Sequence, residues 1–435
     1  MNPILHLLQR IRQSDLVKDS STYLVSNVFN AAIPFALIPI LTRLLTPEEY
    51  GKIAMFQVLV AALSAVTGLS VHGAANRKFY DPDTGHNEIK LFIGSCLQIL
   101  IISFGVALLF ISLFLNKFSE LLSINPEWIL FALIVSLSGF VINIRLGQWQ
   151  IRKQARAYSG FQIFSGLLNA LITLLLVVLI LRGAEGRIEA IAIAAVVSLL
   201  VSLCFLHKDN LLSFFNWNPG YINEALRFGI PLIPHIIGVF LLTVIDRFVV
   251  KIELGLDKAG IYMVAVQFSM ILALLFDAIN KAYVPWLFER LRRDDVNEKQ
   301  NIVKLTYFYF LLLLCLSLVG FIAGPLIVES TVGEEYKPAG NIIGWLVLGQ
   351  VFGGMYKMVT NYIFYSKLNG RLSIVTITAG LLNLILIYFL ISLIGLKGAA
   401  IAFCLTMFIQ FVFTWWMAQK CHPMPWLNAM KAIET

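Results

Sequence analysis

Charge is what this 435-residue sequence has least of. Asp, Glu, Lys and Arg together make 13% of it, against about 25% in an ordinary soluble domain. With 59% hydrophobic residues, such a chain leaves more apolar surface than water tolerates, so lipid must be part of its solvent. Paired cysteines are also missing. Cys96, Cys204, Cys315, Cys404 and Cys421 form no CxxC pair and have no zinc-ligand spacing, which excludes a structural metal site and a disulfide framework and leaves them as small core residues. No GxxxxGK[ST] loop occurs, so ATP is not the fuel. No basic stripe interleaved with aromatics occurs, so the net charge of +8 does not point to nucleic acid. No catalytic constellation or soluble domain is visible. The longest connection between charge-free runs, 277–304, contains RRDD at 292–295 and reads as a solvated loop. The sequence therefore implies no enzyme, catalytic residue, cofactor or metal. Nor is a cleavable leader expected. Arg10, Arg12 and Lys18 precede an apolar segment too long for a signal sequence, which reads as an uncleaved first span.

What is present is a series of long charge-free runs. Those of 17 residues or more are 20–42, 53–76, 91–116, 128–144, 157–181, 190–207, 228–245, 259–276, 305–328, 338–356, 372–396 and 398–419. A helix needs about 20 residues, at 1.5 Å each, to cross the hydrocarbon, whereas a barrel strand needs about 10 of alternating character. The expectation is an all-α integral membrane protein with about twelve transmembrane helices. Twenty-one Lys and Arg fall on one side of this pattern and ten on the other, with Lys281 and Lys357 inside helices. That excess predicts both termini on the cytoplasmic side. Trp128, Trp286, Trp415, Trp416 and Trp426 lie near span ends, as interface anchors do.

The two halves resemble each other. Arg43 and Arg247 follow the ends of corresponding spans at an offset of 204, and Gly51 and Gly260 open the next ones at an offset of 209, where His72 falls opposite Lys281. Six helices per half make this a parallel pseudo-twofold repeat. The expected organisation is a six-helix bundle over 1–208, a cytoplasmic linker over 209–227 and a second six-helix bundle over 228–435. Two such bundles enclosing a cavity suit transport by alternating access.

The segments LTRLLTPEEYG at 41–51, FGIPLIPHIIG at 228–238, IDRF at 245–248 and GEEYKPAG at 333–340 resemble the polysaccharide flippase family, the O-antigen exporters of the multidrug/oligosaccharidyl-lipid/polysaccharide exporter superfamily. The likeness runs over nearly the whole chain. It implies a multi-pass protein of the bacterial inner membrane that moves a polyprenyl-pyrophosphate-linked oligosaccharide from the cytoplasmic to the periplasmic leaflet. It suggests coupling to an ion gradient, as in an antiporter, and leaves room for other polysaccharide assembly proteins as partners beside membrane lipid.

Sheltering a pyrophosphate calls for Lys or Arg facing a wet cavity, since unpaired charge within a bilayer is costly. The substrate-binding candidates are Lys281, Lys357, Arg145, His72, Arg77, Lys78 and Arg247. Most of these fall toward the cytoplasmic ends of even-numbered spans, where they would form a cationic loading zone. The competing reading is that such residues snorkel to head groups, and that Asp277 and Lys281, at i and i+4, simply pair. Asp246 and Asp277 are the ion-coupling candidates. As neighbours about 100° apart on a helix, Asp246 and Arg247 are expected to face different ways. Pro34 and Pro39, beside Asn27 and Asn30, and Pro231 and Pro234, beside His235, mark the bending elements of two corresponding helices. An exporter of drugs or other amphipathic solutes is the alternative transporter, and an integral-membrane polysaccharide-synthesis enzyme the alternative of another class.

Overall fold

The computed structural model describes residues 15–82, 84–366, 368 and 370–426. The N-terminal charges Arg10 and Arg12 lie outside them. All regular structure among the described residues is helical: α1 Asp15–Leu44, α2 Pro47–Val66, α3 His72–Lys78, α4 His86–Leu113, α5 Leu115–Leu122, α6 Pro126–Ile151, α7 Ala155–Thr173, α8 Gly183–Lys208, α9 Pro219–Gly229, α10 Ile233–Thr243, α11 Ile245–Leu254, α12 Leu256–Arg293, α13 Val296–Thr331, α14 Gly340–Tyr365, α15 Gly370–Ile394 and α16 Leu396–Cys421. Twelve segments among the described residues are long and apolar enough to cross a bilayer, which matches the charge-free runs. Large apolar side chains such as Leu179, Leu318, Ile322, Leu326 and Ile385 stand exposed along these helices. Such faces are stable only against lipid.

The helix starts follow from local chemistry. In TPEEYG, the backbone N–H of Thr46 donates to Glu49 Oε2 (2.9 Å), and the Glu49 N–H donates to Thr46 Oγ1 (3.3 Å). This is a capping box with Pro47 at the first helical position. Asn218 accepts from the N–H groups of Gly220 and Tyr221 ahead of α9, and Asp295 accepts from that of Glu298 at the start of α13.

Several sequence expectations are corrected here. The stretch 277–304 is not a loop: α12 continues to Arg293, and the turn into α13 needs only Asp294, in the left-handed region, and the capping Asp295. The run 53–76 is not one helix. It breaks at Thr67–Ser70, where Gly68, Leu69 and Ser70 all have positive φ. The freed Gly68 N–H donates to Ser103 Oγ (2.8 Å), and Thr67 Oγ1 accepts from Ser136 Oγ (2.8 Å), so neighbouring spans satisfy backbone that lipid could not. Trp128 and Trp426 are buried among protein side chains rather than anchored at an interface, whereas Trp416 is exposed. Cys204 and Cys315 are exposed rather than core residues.

The described chain forms two compact units. The first contains the chain up to Leu37 and Met55–Ile233, and the second contains Ile38–Ala54 and the chain from Pro234 onward. Phe92, Ile93, Leu97, Ile144 and Leu206 lie in the core of the first. In the second, Phe276, Leu287, Val351, Tyr362 and Phe411 belong to one apolar cluster.

Within the second unit the hairpin 38–54 is locked in place. Tyr336, from GEEYKPAG, donates its hydroxyl to the Leu45 carbonyl (2.9 Å), and the Gly333 N–H donates to Thr42 Oγ1 (3.2 Å). The Tyr50 hydroxyl donates to Gln267 (2.9 Å), and its ring stands edge-on to Tyr336 at 5.7 Å. A Cβ on Gly51 would stand 2.2 Å from the Leu256 carbonyl oxygen, and one on Gly260 would stand 2.0 Å from that of Pro47. Pro47 and Leu256, like Gly51 and Gly260, are 209 residues apart. The contact is therefore reciprocal: each repeat presents its glycine to the first residue of the other's helix, as at a twofold axis. Glycine is required on both sides because the neighbour is backbone and cannot move aside.

Candidate functional site

Two of the sequence-read cations converge in the second unit. Asp277 and Lys281 on α12 face Lys357 on α14. Lys281 Nζ lies 2.8 Å from Asp277 Oδ2, and Lys357 Nζ lies 3.0 Å from Asp277 Oδ1. One turn on, Asn361 Nδ2 donates to Asn280 Oδ1 (2.8 Å). One carboxylate thus holds two ammonium groups, and the cluster keeps a formal charge of +1. The Lys281 side chain is 61% exposed and that of Lys357 29%, so both can meet a ligand. Sequence reasoning missed the two asparagines. Their signal was present in the spacing, since 277, 280 and 281, and likewise 357 and 361, each fall on one helical face.

Asp246 occupies a separate place in the same unit. The chain breaks at Val244, and Asp246 enters the first turn of α11. Its Oδ1 accepts from the Arg247 N–H (2.9 Å) and its Oδ2 from the Tyr262 hydroxyl (2.8 Å). Arg247 Nη1 donates to the Thr243 carbonyl (2.9 Å) and lies 3.7 Å from Asp246 Oδ1. The expectation that these neighbours face apart is corrected, because the long Arg247 side chain curls back along its own helix. Asp246 lines a cavity of ≈ 130 Å³ with Thr243, Ser269 and Gln350.

The cations of the first unit are differently engaged. Arg145 is buried, its guanidinium 4.0 Å above the Trp149 ring and 2.5 Å from Asp209. It neither snorkels nor presents a free charge. Arg145→Met is expected to destabilise the protein by roughly 2 kcal/mol, between the limits for exposed and buried pairs because Asp209 is partly exposed; thermal unfolding in detergent measures this. Lys78 bonds Glu224 (3.0 and 3.1 Å) and Asp81 (3.2 Å). Burial by itself lowers its pKa, but the hydrogen bonds and charges of those carboxylates outweigh burial and raise it. Arg77 lies over the Phe228 ring at 5.9 Å and lines a surface hollow with Arg227, Asn223 and Glu224. His72 follows the break after α2 and sets its ring edge-on to Phe140 (5.6 Å). Burial lowers its pKa, which disfavours the charged form that a cationic zone would need.

The prolines stand at the places where the chain passes from one unit to the other. That passage falls between Leu37 and Ile38 in α1 and between Ile233 and Pro234 ahead of α10. Pro34 and Pro39 flank the first, and Pro231 and Pro234 flank the second.

A family model described as polysaccharide biosynthesis protein matches residues 16–291, well over half of the chain. The chain belongs to this family. Among its relatives, the capsular polysaccharide biosynthesis protein CapF of Staphylococcus aureus is 24% identical over 412 residues, covering 91% of this chain and 98% of CapF. A putative O-antigen transporter of Shigella flexneri is 24% identical over 235 residues, covering 54% and 56%. The inward-facing conformation of a multidrug resistance MATE family transporter of the MOP superfamily superposes with a TM-score of 0.65 at 14% identity, covering 94% of this chain and 96% of that one. The expected resemblance and the all-helical, twelve-span fold are both borne out. This member of the polysaccharide biosynthesis family has the twelve-span, multi-pass fold that the MATE transporter also has.

Proposed function

We propose that the protein is a flippase for a polyprenyl-pyrophosphate-linked oligosaccharide, an O-antigen or similar repeat unit. In this reading it moves its cargo from the cytoplasmic to the periplasmic leaflet of the bacterial inner membrane by alternating access, with both termini cytoplasmic. The observation that carries the reading is the Asp277–Lys281–Lys357 cluster. It places one exposed and one half-buried ammonium group beside the Asn280–Asn361 carboxamide pair within long apolar stretches of α12 and α14, which suits a doubly charged phosphate and a sugar. Net positive charge there favours an anionic cargo over the cationic drugs that a carboxylate-lined site selects. The proline pairs at the unit crossings supply the bending each half needs. Asp246, buried beside a small cavity, is the acid we assign to ion coupling, since its oxygens accept from neutral groups, the Arg247 N–H and the Tyr262 hydroxyl, with the Arg247 guanidinium 3.7 Å away, whereas each oxygen of Asp277 is paired with an ammonium group at 2.8–3.0 Å. Asp246→Asn is expected to preserve folding and to remove the dependence of transport on an imposed proton or sodium gradient. A variant still driven by that gradient excludes the assignment.

The deciding experiment uses purified protein in vesicles loaded with a fluorescent lipid-linked oligosaccharide. Movement of the label to the opposite leaflet supports a flippase. Transfer of sugar to an acceptor instead points to a synthesis enzyme, and export of a cationic dye in preference to the lipid-linked sugar points to a drug exporter.

A further inference from the structure

Gln98 is a buried carboxamide in the span His86–Leu113, and its position has a structural consequence. It lies eight residues beyond Lys90, the last charge before the apolar run, or about 12 Å along the helix. The interfacial layer on each side of the hydrocarbon is only roughly 5–8 Å thick. Gln98 therefore stands within the acyl-chain region.

The connection between α8 and α9 descends to meet it. Lys90 Nζ donates to Asn210 Oδ1 (2.7 Å) at the top. A turn lower, a Cβ on Gly94 would stand 2.0 Å from the Ser213 carbonyl oxygen. Lower again, Gln98 Nε2 donates to the carbonyls of Phe214 (2.9 Å) and Asn216 (3.2 Å), and Asn216 Nδ2 donates to Ser213 Oγ (2.9 Å). Non-helical backbone survives at this depth only where its polar groups are paired inside the protein, and Gln98 performs that pairing. The large side chains the loop turns outward are aromatic, Phe215 being 98% exposed and Trp217 60%, while Asn216 between them, also exposed, keeps its amide on Ser213.

We propose that residues 213–217, within the stretch whose sequence reads as a cytoplasmic linker, form a re-entrant loop whose aromatic tip inserts among the acyl chains of the leaflet on the Lys90 side. Lipid is the occupant because the tip lies below the head groups, and an exposed phenylalanine there has no other apolar solvent. Phe228 beside Gly73, and Gly229 against the Leu69 carbonyl, tie the following helix to the first unit. The loop thus anchors that unit to the bilayer a few residues before the Pro231–Pro234 crossing.

The test places a nitroxide at Phe215→Cys, and at Lys153→Cys as an aqueous control, in full-length protein whose native cysteines are replaced. In vesicles, the nitroxide at 215 is expected to be relaxed by dissolved oxygen and shielded from a charged nickel chelate, with the reverse at 153. Relaxation by the chelate at 215 equal to that at 153 overturns the proposal, as does protection from both agents. If the cysteine-free chain fails to fold, the emission difference between wild type and Trp217→Phe replaces it. Quenching of that difference by brominated lipid supports insertion, and quenching by aqueous iodide alone overturns it.

Discussion

Replacing Lys281 and Lys357 together with glutamine is expected to abolish measurable flipping of a lipid-linked oligosaccharide while leaving membrane insertion intact. A hydrogen bond to a charged group contributes about 1.5–3 kcal/mol, so two of them acting on the moving pyrophosphate correspond to a rate loss of roughly two to four orders of magnitude. The double variant alone is ambiguous, because it strands Asp277 without a partner, and an uncompensated carboxylate in a span is itself destabilising. The decisive protein is the triple variant Asp277→Asn, Lys281→Gln, Lys357→Gln. It restores neutrality and keeps hydrogen-bonding capacity at every position. If the lysines act on cargo, the triple variant folds like wild type and remains inactive. If they serve only to neutralise Asp277, it regains transport, and the cationic-site reading fails. Asp277→Asn by itself frees both ammonium groups, and tighter retention of the anionic lipid by the purified protein is the expected result.

The second large effect is expected at the reciprocal glycines. Gly51→Ala puts a methyl group 2.2 Å from the Leu256 carbonyl oxygen, and Gly260→Ala puts one 2.0 Å from that of Pro47. In both cases the neighbour is the backbone of the other repeat's helix start, so relief requires the helices to separate. Overpacking of a rigid contact costs about 1–3 kcal/mol, and separation here also disturbs the nearby bonds Tyr336 hydroxyl to Leu45 carbonyl and Tyr50 hydroxyl to Gln267. Each single variant is expected to unfold at lower temperature in detergent and to lose transport. The two together are expected to cost less than the sum of the singles, because both relieve their clash by the same displacement. Strict additivity would show that the two contacts are independent and would remove the twofold interpretation.

The polar residues differ in how much of their role was visible beforehand. Asp277, Lys281 and Lys357 stood out because charge within a long apolar run needs a partner or water, and i, i+4 spacing already suggested the first pairing. That Lys357, 80 residues away, completes the cluster depends on how α12 and α14 pack. Arg145 looked equivalent to those lysines in sequence, yet it is stacked on Trp149 and paired with Asp209. His72 looked like a cation, yet burial disfavours its charged form. Gln98 and the aromatics at 214–217 carry no signal along the sequence, because a lone glutamine and a short aromatic stretch have no period. Their meaning arises only when the loop is seen beside the helix at a particular depth.

The sequence by itself determined the number of spans, the all-helical class, the family and the repeat offset. Those follow from quantities read along one dimension: the length of an uncharged run against the thickness of hydrocarbon, and the order of short motifs. Tertiary structure alone decided how each cation is partnered, where the spans break, and that Gly51 and Gly260 meet. The facing of a side chain is set by the rotation and packing of its helix against others, and two residues 209 positions apart become neighbours only where the helix starts at Pro47 and Leu256 pack together.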